Sequence, residues 1–435
     1  MSNLKGEFLG AGDFYSAHNF IKKSCVLTYF IKSDIIASTG SHRAKEENMD
    51  YEYKEYYLKH KNNLVMKFAL DNEYYIVRRA DKIYDYERLP IIYGNNDISL
   101  ILRNFDKWVE MRGIPKSRED YNVITYKNKK KSNRELTVGE YALNLTDHYW
   151  IHDVNENLEW ESMNLFDNDY KQEEELKPIL LEGKRGNPNV SVDGSQIKAW
   201  KKENNKNYLW KKGRGERMQE PFNEEIASKI MDLYGIEHIS YSVKRISSNI
   251  PVSICECMID KNTEYMGAEY AMYAVEKKGL SKYERYISIC EEKGIADAKN
   301  KIDEMIAVDY IIGNEDRHPW NFGIIRNADS LEWIKTAPIF DNGNSLFYDT
   351  DSREMMNEKK DSFCRWLDCE NETALKNIDY PQWYSKNKKS DVLNIIYEGL
   401  MKNERLKTNK AEYVASIVEE RLKIFEKIIS SKKGP

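Results

Sequence analysis

The sequence is short of cysteine, of long apolar runs and of any strong excess of one charge, and each shortage removes a class of protein. Its six cysteines, Cys25, Cys255, Cys257, Cys290, Cys364 and Cys369, form no C-x-x-C pair and have no histidine at zinc-finger spacing. Neither a zinc site nor a disulfide framework is indicated, and reduced cytosolic thiols are expected. No run of eighteen apolar residues occurs, and the opening MSNLKGEFLGAGDF lacks the basic and then apolar pattern of a secretory signal. A cytoplasmic protein without membrane contact is the expectation. With 67 Lys and Arg against 72 Asp and Glu, the net charge is -5, which lends no support to non-specific nucleic-acid binding. No repeat period is present.

What remains is a soluble chain of 435 residues, 41% hydrophobic and 32% charged, long enough for two or three sub-structures. The changes of character divide it into an extension over residues 1–50, an α+β subdomain over 51–180, a β-rich lobe over 181–260 and a helical lobe over 261–435. Residues 24–37 and 63–78 are β-branched and aromatic, and the second is broken by Asp71-Asn72, which predicts strands and a hairpin. Residues 43–59 are charged and read as a helix or a solvated connector, and 98–112 as a helix stopped by Gly113 and Pro115. The basic tract KNKKKSNR over 127–134 has no interleaved aromatics and reads as a solvated loop rather than a nucleic-acid contact. His148 and His152 have the i, i+4 spacing of a helical metal pair but lack a third ligand, so ordinary packing is expected.

The stretch 186–235 is more specific. A turn with Gly194 leads to QIKAWKK, then Glu-Asn-Asn, then NYLWKK, which predicts a hairpin whose second strand ends in lysine. QEPFNEEIASKIMDLYGI predicts a helix capped by Asn223, with Glu224 and Glu225 in its first turn and a stop at Gly235. Glycine lets backbone amides approach a phosphate, a strand lysine supplies charge, and a helix glutamate holds the lysine. Lys212 competes with Lys211 for that role, and Glu220 and Glu225 with Glu224.

Downstream, NKIDEMIAVDYIIG predicts a buried helix ending at Gly313, followed by the loop NEDRHPWN, in which Asp316 precedes Asn321 by five positions. An aspartate that takes a hydroxyl proton and an asparagine five residues on that binds magnesium have the spacing of a kinase catalytic loop. NFGIIRN and LEWIKTAPIFDNG predict a hairpin that leads to Asp341 before Gly343, a second magnesium-binding carboxylate. A surface ion-pair network of Asp316, Arg317 and Asp341 with a turn-capping Asn321 is the plain alternative. Residues 372–435 predict helices with an apolar stripe through Val414, Ile417, Val418, Leu422, Phe425, Ile428 and Ile429.

These residues resemble the HipA-like serine/threonine kinases, whose founding member is a bacterial persistence toxin. SVDGSQIKAW resembles that family's phosphate loop, NYLWKKG its lysine strand, EPFNEEIASKI its first large helix, VDYIIGNEDRHPWNFGI its catalytic loop and APIFDNGNSL its magnesium segment. Between about residues 56 and 170, HKNNLVMKFAL, WVEMRGIPKSRED, DHYWI and WESMNLFDN are similar to the amino-terminal part of single-chain Firmicutes relatives. The resemblance implies a bilobal, protein-kinase-like α+β fold and transfer of the γ-phosphoryl group of ATP to a protein serine or threonine with Mg2+. It implies Asp316 as catalytic base, Asn321 and Asp341 as magnesium ligands, and Lys211 on the α- and β-phosphates with Glu224 as its partner. Ser191, Val192, Asp193, Gly194, Ser195 and Gln196 would cover the phosphates, and Ser191 would be the autophosphorylation site that switches the enzyme off.

The chain departs from eukaryotic kinases in two places. Arg317 and His318 follow the catalytic aspartate instead of preceding it, so His318 reads as a brace, and Asn342 stands where those kinases have phenylalanine. Asp193 adds a negative charge that either weakens ATP binding or faces solvent. The resemblance also implies toxicity on expression, relieved by Asp316→Asn, an antitoxin partner and substrates in the translation machinery such as aminoacyl-tRNA synthetases. The competing readings are a nucleotide-sensing or partner-binding module without transfer activity, and a lipid or small-molecule kinase.

Overall fold

The structure, a computed structural model, describes residues 52–90, 97–129, 131–178, 180, 186–273, 279–350 and 362–432. The chain divides into two compact units, Met1–Glu52 and Tyr53–Pro435. The expected strand at 24–37 and the first part of the connector at 43–59 lie outside the described residues. The second unit is α+β, as expected, and its sheets are antiparallel among the described strands.

The first sheet has the order β3-β2-β1-β4, from β1 (Tyr53–His60), β2 (Asn63–Asp71), β3 (Val77–Ile83) and β4 (Tyr149–Asp153). β1 corrects the helix or connector reading of its residues: Tyr56, Leu58 and His60 alternate inward at period two, and pairing with both β2 and β4 overrides the charged composition. Helix α1 (Ile98–Met111) covers the inner face with Ile101, Phe105, Trp108 and Val109, and starts where the Asp97 carboxylate accepts the Ser99 amide. Burial of Phe105 and Trp108 stabilises this face by about 2–3 kcal/mol each. α2 (Tyr121–Lys127) and α3 (Asn133–Gly139) take up the ends of the basic tract, which is therefore not wholly a loop. Its Lys131 and Arg134 are paired with Glu135 and Asp106. His148 and His152 sit before and on a strand rather than on a helix; each is buried and bonded to a backbone carbonyl, of Thr263 and Asp153 respectively.

After the short α4 (Trp160–Met163), the second sheet has the order β5-β6-β8-β7, from β5 (Lys198–Glu203), β6 (Lys206–Lys212), β7 (Tyr241–Ile246) and β8 (Ile250–Glu256). Asn204 and Asn205 both have positive φ, 51° and 61°, so the predicted hairpin is closed by the turn type that matches strand twist. Helix α5 (Glu220–Tyr234) packs on this sheet and stops at Gly235 in the left-handed conformation.

The rest is mainly helical: α6 (Ala268–Tyr273), α7 (Lys282–Glu292), α8 (Ala298–Ile312), α9 (Asn371–Ala374), α10 (Lys389–Met401) and α11 (Thr408–Ser430). β9 (Thr263–Gly267), β10 (Gly323–Asn327) and β11 (Trp333–Thr336) form a small sheet of order β11-β10-β9, and β12 (Phe363–Cys364) pairs with β13 (Cys369–Glu370). The main core joins α8, buried almost all round, to the Val414, Val418, Leu422, Phe425 and Ile429 stripe of α11 and to α5. No helix among the described residues is long and apolar enough to cross a membrane.

Candidate active site

The site is assembled where α5, the end of β6 and the loops after α8 and β11 meet. At the end of β6, Lys211 is buried at 3% exposure, while Lys212, whose side chain leaves the other face of the strand, stays half-buried. The Lys211 ammonium donates to Glu224 Oε1 and, at 2.7 Å, to Asp341 Oδ1. Glu224 accepts the Asn342 amide on its other oxygen at 2.8 Å. Its rivals are engaged elsewhere, Glu220 with Arg214 and Glu225 with Lys229 and Lys402.

Asn223 does not cap α5. The helix begins at Glu220, with Pro221 in its first turn, and Glu220 rather than Glu224 or Glu225 is the acidic residue there. Asn223 instead lies one turn inside and donates to the carbonyls of Gly343 and Ser345, at 2.9 and 2.7 Å, while Gln219 donates to that of Leu346 at 2.8 Å. The start of α5 thus holds the segment that carries Asp341. Asp341 itself has φ of +59°, a conformation uncommon outside glycine, kept by these surrounding bonds.

The knot in NEDRHPWN is organised by Arg317. Its guanidinium is 1% exposed and donates Nε and Nη2 to the two oxygens of Asp309, both at 2.9 Å. It also reaches the carbonyls of Asn321 and Phe340 and the side chain of Asn342. One buried cation therefore fastens α8, the loop and the Asp341 segment together, and it pairs with neither Asp316 nor Asp341. The surface network considered from sequence is not what these residues form. Gly313 ends α8 with φ of +62°, and a side chain there would collide with Arg421.

Asp316 accepts Asn344 Nδ2 at 2.7 Å on one oxygen and Arg365 Nη1 at 2.5 Å on the other. Asn321 donates its amide to the Asp316 carbonyl at 3.1 Å, which leaves its side-chain oxygen for a cation. His318 accepts the Trp320 amide at 3.3 Å, the bracing role expected of it, and burial lowers its pKa against the opposing pull of Asp316 and Asp341.

The glycine turn lies beside this cluster. Gly194 has φ of +101°, and a Cβ there would stand 2.5 Å from Lys198 Nζ, so the lysine lies directly under the turn. Ser195 accepts Arg214 Nη1 at 3.0 Å, Gln196 donates to the Lys212 carbonyl at 3.2 Å, and Asp193 is exposed, its carboxylate taking the Gly194 amide. Val192 is buried among Trp200 and the aromatics of the α4 region. Ser191 is not beside the ion cluster: its hydroxyl is buried and donates to the carbonyls of Leu143 and Pro188.

Electrostatics tie these residues together. Burial works against the Lys211 charge, but Asp341 and Glu224 outweigh it and raise the ammonium well above the ordinary lysine range. Burial pushes Asp341 up, yet Lys211 and Lys198 hold its carboxyl far below the usual value. Lys198, placed opposite Lys211 across the strands, is pushed down to about 8, by burial first and with Asp341 opposing. Two lysines facing each other at one end of a hairpin are unfavourable unless an anion joins them.

No family model matches the sequence, and no curated protein matches it. Among solved structures, it is similar to the Helicobacter pylori proinflammatory kinase CtkA, at 19% identity and TM-score 0.41, over 54% of this chain and 93% of that one. It is also similar to a chain of the Shewanella oneidensis MR-1 toxin–antitoxin complex of HipA, HipB and operator DNA, at 12% identity and TM-score 0.49, over 87% of this chain and 100% of that one. Neither match carries the functional reading, which rests on the site.

Sequence reasoning missed Lys198, Arg214, Asp309, Asn344 and Arg365. Lys198 had a legible signal, since a lysine four residues after Gly194 starts the strand paired with Lys211. The others depend on loops brought together only in three dimensions. Among the described residues no three His, Cys, Asp or Glu side chains converge as a metal cage. Asn321 and Asp341 supply hard oxygens of the kind that could hold a magnesium ion and neutralise phosphate charge there. A surface cavity of about 410 Å3, lined by Lys61, Asn62, Trp160, Glu161, Asn164 and Lys261 among others, shares no residue with this site. Its lysines are already paired with Asp329 and Asp167.

Proposed function

We propose that the protein is an ATP-dependent serine/threonine protein kinase. The observation that carries this reading is the convergence of Lys211, Glu224 and Asp341 through direct ion pairs, with their strand, helix and loop drawn from positions 130 residues apart at the extremes. A lysine held by a helix glutamate and touching a magnesium-type aspartate is the arrangement that positions a triphosphate. Lys198 and Lys211 would meet phosphate oxygens below the Gly194 turn. Asn321 and Asp341 would hold Mg2+, which when bound neutralises charge between the phosphates. Asp316 would orient the acceptor hydroxyl and take its proton, so catalysis is chiefly positioning and charge neutralisation.

Ser191 as autophosphorylation site fits a switch. A phosphate of about -1.5 to -2 charges has no room in a buried position lined by two carbonyl oxygens, so modification would expel the loop from its seat. Toxin activity, an antitoxin partner and a substrate in the translation machinery complete the reading.

Purified protein with labelled ATP and Mg2+, beside Asp341→Ala, tests it. Label on the wild type alone, located by mass spectrometry at Ser191, is the expected result. Nucleotide binding with no transfer to any added protein would favour the binding-module reading, and absence of binding would remove both.

A further inference from the structure

Both carboxylate oxygens of Asp316 are engaged, by partners of different kind. Asn344 is fixed from behind by Arg214, whose Nη2 donates to its oxygen at 2.8 Å. Arg365 approaches from the β12–β13 turn with a side chain 40% exposed. Its backbone is anchored: the next residue, Trp366, is 1% exposed and packs on Phe322 at 4.6 Å between ring centroids. A rigid base with a long, half-exposed side chain lets the guanidinium swing while its origin stays fixed.

Among the described residues, Arg365 is the cation paired with Asp316. Arg317 is spent on Asp309, and His318 Nδ1 already takes the Trp320 amide. Lys211 is engaged with Glu224 and Asp341, and Lys198 lies under the Gly194 turn. Each Asp316 oxygen keeps a second lone pair, but a guanidinium on Oδ1 draws charge from the carboxylate and disfavours its protonation. Asn344 is fastened by Arg214, so the contact whose opening restores the base is the one to Arg365.

We propose that Arg365 is a catalytic residue with two stations: it caps Asp316 before nucleotide binds, and it crosses to the γ-phosphoryl group once ATP is in place. This assignment rests on the kinase reading above. A triphosphate outcompetes a single carboxylate for a guanidinium, because its terminal group offers more charge and a matching bidentate geometry. The crossing neutralises the phosphoryl oxygens and frees Asp316 Oδ1 in one movement. The acceptor oxygen then bonds to the γ-phosphorus as the bond from that phosphorus to the β,γ-bridging oxygen breaks. The bridging electron pair leaves with ADP, and the hydroxyl proton passes to Asp316.

The test compares magnesium-dependent binding of ADP and of the non-transferable β,γ-imido analogue of ATP with the rate of phosphoryl transfer. It uses the full chain as wild type, Arg365→Ala, Arg365→Lys, Asp316→Ala and the Arg365→Ala/Asp316→Ala double variant. Arg365→Ala is expected to weaken the imido analogue about tenfold, to leave ADP within about twofold, and to slow transfer roughly 100- to 1,000-fold at saturating ATP. Arg365→Lys falls between, since it keeps charge without the fork. Asp316→Ala removes the first station and tightens the analogue about threefold or more, a gain the double variant loses. An analogue-to-ADP ratio indifferent to Arg365 overturns the assignment, as does faster transfer by Arg365→Ala, which would make the contact a cap alone. Wild-type protein that binds neither nucleotide would instead bring down the kinase reading.

Discussion

Two buried ionic clusters in this molecule are built from similar groups and differ in how completely they are closed. Beneath the first sheet, Glu264 on β9 takes Arg326 Nε at 2.5 Å and His60 at 2.8 Å, and Arg326 also donates to the Tyr149 hydroxyl at 3.2 Å. Burial pushes Glu264 up, but Arg326 and His60 bring its pKa to about 2, so every charge has its counterpart. At the cleft, Lys211 is shared between two carboxylates, Lys198 is driven down to about 8, and Asp341 is held at positive φ. A closed cluster joins β1 and β4 to β9 and β10. An open one stores electrostatic tension that a ligand can relieve, the usual mark of a functional site.

The contrast is broken if the two clusters respond alike to mutation. Asp341→Ala is expected to abolish phosphoryl transfer, at least about 1,000-fold, with little loss of thermal stability, because it releases Lys211 to Glu224 alone. Glu264→Ala strands Arg326 in the interior and is expected to lower stability by about 3–5 kcal/mol in denaturant unfolding, with the remaining folded protein transferring normally. Inactivation without destabilisation by Glu264→Ala would erase the distinction.

A pH series sharpens it. Lys198 loses its proton near pH 8 in the folded protein, well before an unfolded lysine does, so the unfolded chain binds more protons above that point. Stability should therefore rise from about pH 8 toward the ordinary lysine pKa, while nucleotide affinity falls, by up to about tenfold per pH unit. Lys198→Met should flatten both trends, and a pH-independent affinity in the wild type would place Lys198 outside the phosphate site. Glu264 behaves oppositely: its folded pKa is depressed, so its contribution holds above the ordinary glutamate range and is lost as the pH falls toward about 2. The smallest effect belongs to His60→Asn, which removes one bond from a cluster that keeps Arg326 and should cost about 1–2 kcal/mol without touching transfer rates.

Much of this was legible in the chain. Two strand-forming runs on either side of Asn204-Asn205 specified the β5–β6 hairpin, and Gly235 and Gly313 marked the ends of α5 and α8. Asn223 misled, because a side chain that satisfies a neighbouring loop looks in sequence like one that satisfies its own helix. Residues 53–59 misled because neighbouring strands outweighed their charge.

By itself the sequence determined local geometry and the inventory of donors, acceptors and charges, since propensity, alternation and turn chemistry act between near neighbours. That one of Lys211 and Lys212 turns inward followed from strand geometry, and that it is Lys211 was decided by the packed sheet. Which carboxylates meet Lys211, why Arg317 turns away from Asp316, and that Arg365 from the far β12–β13 turn reaches Asp316 were decided only by the tertiary structure. Desolvated charges take whichever partner the packed loops bring within about 3 Å, and no spacing along the chain encodes that distance.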